Sequence, residues 1–463
     1  MKKNDLDLVL KEIKSELKIK GVDRRTALKI MALSSTTLLT NPTSANAATS
    51  AKANGKGVKI VIAGGGAAGC TIANFITKNI DDAQVAIIEP DSQSVSYQPG
   101  QTLIGAGIWN KDEIIGESKD FFPSNAKWIQ DRVVEFNPDS NNVRTSKNGV
   151  IDYDFLILAT GLSLNYEAIE GLSKNDIGKN GISSIYFADG AVKTWSLIQK
   201  LIEDAKSKKD IKALFTQPNT PIKCGGAPKK IMFLTHALLR DAKLRDGVKL
   251  DFYPAGGGFF GVKEYNEATI GFFKDRNLNA HFNNNLIAID QGYRKATFKR
   301  KDGSIFDLNY DFIHITPPMK APNEIKESPL SIKQGNLTSG GWADVNKDTL
   351  IHNKYNNVFA IGDIAGIPTS KTGAAIREQY KVCGNNLISA IEGKDLKATY
   401  DGYTACPLIT DIGKVMMAEF NYKKEPSATL PMLNPAKERW LWWFVKVYML
   451  KPMYFYGMLK ARI

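Results

Sequence analysis

The chain has 463 residues, 43% hydrophobic and 24% charged, with a net charge of +13. That length accommodates two or three domains, and four cysteines are too few for a disulfide scaffold. The positive charge admits anionic lipid, small anions or nucleic acid as partners, and no apolar run reaches the roughly 18 residues that cross a bilayer.

Residues 1–47 read as a targeting segment. Arg24 and Arg25 are paired, an apolar stretch runs from about Ala27 to Leu39, and Ala45-Asn46-Ala47 has the small residues of a cleavage site. The layout has a twin-arginine flavour, although Asp23 stands where Ser or Thr is usual and no Phe follows. Such a signal exports a folded chain, which suits a protein that captures its cofactor first. The expected location is the periplasmic face of a bacterial inner membrane. The segment carries nine Lys/Arg and five Asp/Glu, so the remainder keeps a net charge of +9.

Val58 to Ala63 is an apolar run that reads as a buried parallel strand. Gly64, Gly65, Gly66 and Gly69 follow in the pattern G-x-G-x-x-G and open an amphipathic helix. A second strand ends at Glu89, twenty residues after Gly69. This is the full context of a dinucleotide fingerprint: glycines let the backbone approach a pyrophosphate, and the acid accepts from a ribose hydroxyl. Cys70 reads as a small packing residue on that helix.

Two later stretches point to FAD. "DYDFLILATG" carries Ala159 and Gly161 at a strand–turn junction, and "NNVFAIGDIAG" ends a strand at Gly362-Asp363. The pair resembles the two signatures of two-dinucleotide-domain flavoproteins, which implies that Asp363 binds the ribityl chain. The implied fold is α/β, with two Rossmann-like dinucleotide-binding domains, the second degenerate. The FAD domain is discontinuous, over 57–165 and 345–420, around a middle domain at 166–344.

In that middle domain a strand, Ala213 to Thr216, runs into Gln217-Pro218-Asn219-Thr220-Pro221, then Cys224-Gly225-Gly226-Ala227-Pro228. The glycines lack fingerprint spacing, and Pro228 suits the first turn of a helix. A later cluster, Pro254 to Val262, has no x-x-G opening into a helix. A nicotinamide site is therefore not expected. Cys224 at a helix start, beside Lys223, Lys229 and Lys230, is placed for thiolate chemistry. Cys383 reads as core, and Cys406, with Pro407 after it, reads as a positioned sulfur at a turn. Spacing alone does not choose the partner of Cys224.

"TQPNTPIKCGGAPKKIM", "YQPGQTLIGAG", "PTSKTGAA" and "YDGYTACPL" resemble sulfide:quinone oxidoreductases, in the branch shared by mitochondria and some bacteria. The resemblance covers nearly everything from Val58 onward. It implies that Cys224 and Cys406 are the redox pair and that Gln98, Lys371 and Thr372 line the flavin. It also puts Val133 on the adenine side. The implied chemistry starts with hydrosulfide attacking a Cys224–Cys406 disulfide. That leaves a persulfide on Cys406 and a thiolate at Cys224, and two electrons reach a quinone through FAD. The sulfane-sulfur acceptor is not indicated.

The tail, 421–463, is dense in aromatics and lysines, and its two apolar stretches are split at Lys451-Pro452. It is expected to lie on a membrane as an amphipathic anchor, with Trp442, Trp443, Phe444 and Tyr448, together with Lys371, contacting lipid or quinone. Burial against the protein's own core, or against a second copy, is the competing expectation. Histidines at 236, 281, 314 and 352 show no metal spacing, so no metal is expected. The dispersed lysines and the lack of a nucleic-acid module argue against nucleic acid. Rival functions are an exported flavocytochrome c-type sulfide dehydrogenase, an NADH dehydrogenase-like flavoprotein and a non-catalytic flavoprotein.

Overall fold

The structure is a computed structural model describing residues 52–463; the targeting segment at 1–47 lies outside the described residues. The described chain repeats one plan twice. In the first half, β1 (Lys59–Ala63), α1 (Ala67–Asn79), β2 (Gln84–Ile88) and β3 (Lys127–Ile129) are followed by an antiparallel meander over Val133–Asp152. β4 (Phe155–Leu158) comes next. In the second half, β5 (Ile182–Ser183) and α2 (Ala188–Asp204) precede β6 (Ile211–Gln217), α3 (Ala227–Asp241), β7 (Val248–Pro254), α4 (Lys263–Asp275) and β8 (Asn279–Ala280). A second meander spans Asn284–Asn309 and leads into β9 (Phe312–His314).

Each half builds a five-stranded parallel sheet. β10 (Val358–Ala360) returns to the first, whose order is β10-β4-β1-β2-β3; the second is β5-β9-β6-β7-β8. The central strands read as unbroken apolar runs because both faces are covered, as Ile60, Val61, Ile62, Ala213, Leu214 and Phe215 show by being buried.

The repeats differ where the central strand turns into its helix. The first turn is the three residues Gly64–Gly66, and the second is the nine residues Pro218–Gly226. Gly64 has φ +103°, a conformation an L side chain strains to adopt, and a Cβ on Gly69 would run into the Gly64 carbonyl oxygen. The fingerprint glycines thus press helix against strand.

α5 (Gly373–Ile391) leads to an antiparallel hairpin of β11 (Thr404–Asp411) and β12 (Lys414–Phe420). α6 (Trp440–Phe444) then starts a helical tail that continues to Met458. Its turns widen to π-type over Val445–Met449 and Met453–Met458, on either side of Leu450–Pro452, where Pro452 has no N–H to donate. Among the described residues no helix is long and apolar enough to cross a membrane.

The tail corrects one expectation. Trp442 and Trp443 are buried, packed with Leu103, Leu234, Ile409, Val415 and Met417, so they anchor the tail to the protein and do not face lipid. Large apolar burial drives this, since a Trp side chain removes more area from water than any other. Phe444 is partly exposed and packs at a tilt against Tyr448, which is 42% exposed, while Tyr456 is 68% exposed.

Gly69→Ala should destabilise the first half by about 1–3 kcal/mol, because the added methyl meets fixed backbone rather than a flexible side chain. A lowered urea midpoint with unchanged slope checks this; an unchanged midpoint contradicts the packing argument.

Candidate active site

The C-terminal ends of β1, β4 and β10 open on a cavity of about 400 Å³, which is where open α/β sheets place their ligands. Gly66, Glu89, Gln98, Ala159, Gly161, Asp363, Lys371 and Thr372 line it, as do Cys224 and Trp442. Gly64, Gly65, Gly69 and Gly362 are not on its wall and support it from behind. The Gly65 N–H donates to Glu89 Oε2 at 2.8 Å, and the Gly362 N–H donates to Gln379 Oε1 at 2.8 Å. Val133 is buried at the start of the first meander and does not reach the wall. Phe444 and Tyr448 also lie off it.

The wall suits a dinucleotide. α1 follows its N-cap Gly66, which has no side-chain cap; Gly66, Ala67 and Ala68 line the cavity, and a Cβ on Gly66 would have its nearest neighbour 4.0 Å away. Room plus free N–H donors is what a pyrophosphate requires. Burial raises the Glu89 carboxyl above its ordinary range, opposed by the N–H groups of Asp91 and Gly65. Thr160 Oγ1 is buried on the same wall without a hydrogen-bond partner among the described residues. Thr372 caps α5, accepting from the Ala375 N–H at 3.1 Å. FAD fits these residues.

The long turn between β6 and α3 delivers Cys224, half-buried on the cavity. Its φ is +49°, left-handed for a residue with a Cβ, and such strain persists only where surrounding contacts enforce it. They do so here. The Cys224 N–H donates to the Lys371 carbonyl at 2.9 Å, and the Ala227 N–H donates to the Cys224 carbonyl at 2.8 Å. The Lys371 ammonium donates to the carbonyls of Asp363 (2.6 Å) and Ala365 (3.1 Å) and sits 3.8 Å from the centre of the Trp342 ring. Burial pushes it down to about 8 against the pull of Asp363. Lys371 is therefore a tie between turns, and its charge is committed.

Cys406 is not in a turn. It lies within β11 opposite Ala418, buried, and Pro407 pairs with Met417 in a ribbon of two strands. A two-stranded ribbon has free edges, so a missing proline N–H breaks no ladder there. The alternation of the strand puts Ala405 and Pro407 on the cavity wall and turns Cys406 the other way, toward α3. A Cβ on Gly226 would collide with Cys406 Sγ, whereas one on Gly225 would meet nothing within 4 Å. Of the two glycines, Gly226 provides the clearance.

The two sulfurs meet across that gap. The Cys406 thiol donates a hydrogen bond to Cys224, which draws Cys224 well below the ordinary thiol range against burial; Lys230 and Lys446 add to the effect. Giving that hydrogen bond, and burial, push Cys406 well up. Lys230 Nζ stands 3.3 Å from Cys224 Sγ. Burial opposes its charge, but the two sulfurs raise it overall. Lys446, a functional candidate that sequence reasoning missed, comes in from the tail with its ammonium on the Pro99 carbonyl at 3.0 Å. Burial and Lys230 push it down to about 7. Cys70 and Cys383 are buried away from this site, and burial pushes Cys70 up to about 12.

The family model for pyridine nucleotide-disulphide oxidoreductases matches residues 58–189. The mitochondrial sulfide:quinone oxidoreductase of Dictyostelium discoideum is 40% identical over 405 residues, 87% of this chain and 86% of that protein. The chain belongs to the sulfide:quinone oxidoreductase family. Its mouse relative, also named mitochondrial, is 38% identical over the same share of each chain. The crystal structure of the sulfide:quinone oxidoreductase from Aquifex aeolicus shares the fold, with a TM-score of 0.69 at 20% identity, covering 88% of this chain and 92% of that one.

In the reduced protein of this family member, Cys224 should stay a thiolate as pH falls through the ordinary thiol range, since its ionisation is depressed; the thiolate is lost only at lower pH. Iodoacetamide labelling of Cys224 should therefore remain fast at pH 7. Lys230→Met should shift the labelling profile to higher pH, and an unshifted profile would show that the ammonium does not set it.

Proposed function

We propose that this protein oxidises hydrosulfide at Cys224 and Cys406 and passes the electrons to a membrane quinone. The observation that carries the reading is the sulfur pair itself. Two cysteines 182 positions apart come together beside Lys230 and Gly226, on the edge of a dinucleotide cavity. FAD is the cofactor, and when bound it supplies the two-electron relay between sulfur and quinone.

The pair acts from its disulfide state. Hydrosulfide attacks Cys406 Sγ; the new S–S bond forms as the Cys224–Cys406 bond breaks. Cys406 then holds the persulfide and Cys224 leaves as a thiolate. The direction rests on leaving-group ability: a stabilised thiolate departs faster, and Lys230 Nζ, 3.3 Å from Cys224 Sγ, favours the thiolate at Cys224. Lys230, with Lys446 behind it, holds the developing negative charge. A nucleophilic acceptor then removes the sulfane sulfur from Cys406, whose placement off the cavity wall separates that exchange from the cofactor side.

We further infer export to the periplasmic face and docking through the tail. Arg24-Arg25 supports the first. The exposed Tyr448 and Tyr456, next to tail residues Val445, Leu450 and Met453 on the cavity wall, support the second by offering a membrane quinone an apolar approach.

Anaerobic sulfide should bleach the oxidised flavin band, and decylubiquinone should restore it; no spectral change sinks the reading. Cys224→Ser and Cys406→Ser should each lower sulfide-dependent quinone reduction at least 100-fold with FAD content retained. Gly226→Ala should lower it at least tenfold, because the methyl occupies the Cys406 sulfur position. Wild-type turnover in Gly226→Ala would refute the clearance role.

A further inference from the structure

Four buried cations around the sulfur pair are committed. Lys230 serves Cys224, Lys229 donates to Gln217 and the Gly225 carbonyl, Lys446 to the Pro99 carbonyl, and Lys371 to Asp363 and Ala365. A small anion entering here must shed water, so it needs a donor that the protein has not already used.

Tyr186 is such a donor. It lies between β5 and α2, is 2% exposed and lines the cavity, and its hydroxyl has no hydrogen-bond partner among the described residues. Stranded buried hydroxyls are uncommon because folding forfeits their hydration. Its neighbours are, by contrast, satisfied: Ser184 Oγ pairs with Tyr166 Oη at 2.8 Å, and the Ile185 N–H donates to His314 Nε2 at 3.2 Å. The segment is thus fixed while the one hydroxyl facing the cavity is left open. Thr316 Oγ1 is buried close enough to lower the Tyr186 ionisation, but it does not meet Tyr186 in hydrogen-bonding geometry. Burial first, and then the charge of Cys224 with a smaller effect of Cys406, raises the Tyr186 ionisation, so the group stays a protonated donor that senses both sulfurs. Tyr97 and Thr160 also carry hydroxyls on the cavity with no partner among the described residues, and of the two tyrosines Tyr97 senses Cys224 alone.

We propose that the Tyr186 hydroxyl is a substrate-binding group, donating a hydrogen bond to hydrosulfide as it enters between Cys224 and Cys406. The inference rests on the function proposed above. It assigns Tyr186 to the binding of sulfide and leaves the redox steps to the cysteines.

The test is stopped-flow bleaching of the holoenzyme flavin against sulfide concentration, in wild type, Tyr186→Phe and Tyr97→Phe. A hydrogen bond to an anion is worth roughly tenfold or more in affinity. Tyr186→Phe should therefore raise the half-saturating sulfide concentration about tenfold, while the limiting rate and the reoxidation by decylubiquinone stay within about threefold. Its melting temperature should be unchanged or higher, because the lost hydroxyl had no partner. Tyr97→Phe should leave half-saturation within about twofold. Unchanged sulfide dependence in Tyr186→Phe overturns the assignment, as does an equal shift in Tyr97→Phe. A lower melting temperature with a parallel loss in the quinone step would mark a structural role and also overturn it. A wild-type flavin that sulfide never bleaches would overturn the parent function itself, which separates the two failures.

Discussion

The hydrogen bond from the Cys224 amide to the Lys371 carbonyl joins the two halves of the molecule at the point of chemistry. Cys224 belongs to the long turn of the second sheet, and Lys371 to the segment leading from β10 into α5 of the first. The left-handed backbone of Cys224 is held from both sides, by Lys371 before it and by the Ala227 amide after it. The same lysine fastens the Gly362-Asp363 turn through its ammonium. One residue therefore sets the Gly362-Asp363 turn and the Cys224 turn against each other. A shift in either would move a sulfur relative to the cavity, and misplacement on the scale of an ångström is enough to lose catalysis.

Charge is organised around that junction in an unusual way. Lys229, Lys230 and Lys446 are 1–2% exposed, and buried ammonium groups are strongly disfavoured unless something compensates. For Lys229 and Lys446 compensation is partial, and they are pushed down to about 8 and about 7. For Lys230 the sulfurs win and its charge is secured. The arrangement exchanges stability for a positive field that favours thiolate over thiol at Cys224. Because Cys406 supplies the hydrogen bond, one proton serves to lower one sulfur and raise the other.

Local signals made much of this legible before any coordinates. G-x-G-x-x-G is a short-range pattern whose steric demands lie within one turn, and Gly64, Gly66 and Glu89 appear where that pattern places them in space. Strands buried on both faces announce themselves as apolar runs. The failures share a cause, which is that tertiary context overrode local chemistry. Pro407 suggested a turn, but a two-stranded ribbon tolerates proline. Trp442 and Trp443 suggested a membrane surface, but α3 and the hairpin supply the apolar partners first. Lys446 drew no notice among the tail's lysines and aromatics, and only the fold reveals that it is buried near Lys230. Tyr186 carried no signal at all, since an unpartnered hydroxyl is a property of its surroundings.

The duplicated plan explains how such a site arises. In the first half the turn after the central strand is three residues long, and helix α1 presses close enough that its N–H groups can serve a phosphate. In the second half the equivalent turn is nine residues long, broken by Pro218 and Pro221, and it lifts a cysteine away from the strand end toward the cavity of the other half. The helix is still there, and so is its favourable N-terminus, but what it meets is the Cys224 turn in place of the room left for a phosphate. Both uses exploit the same end of the same element, so the lengthened turn converts a nucleotide cradle into a sulfur platform without rebuilding the sheet. The hairpin of β11 and β12 completes it by bringing Cys406 to the gap that Gly226 leaves open.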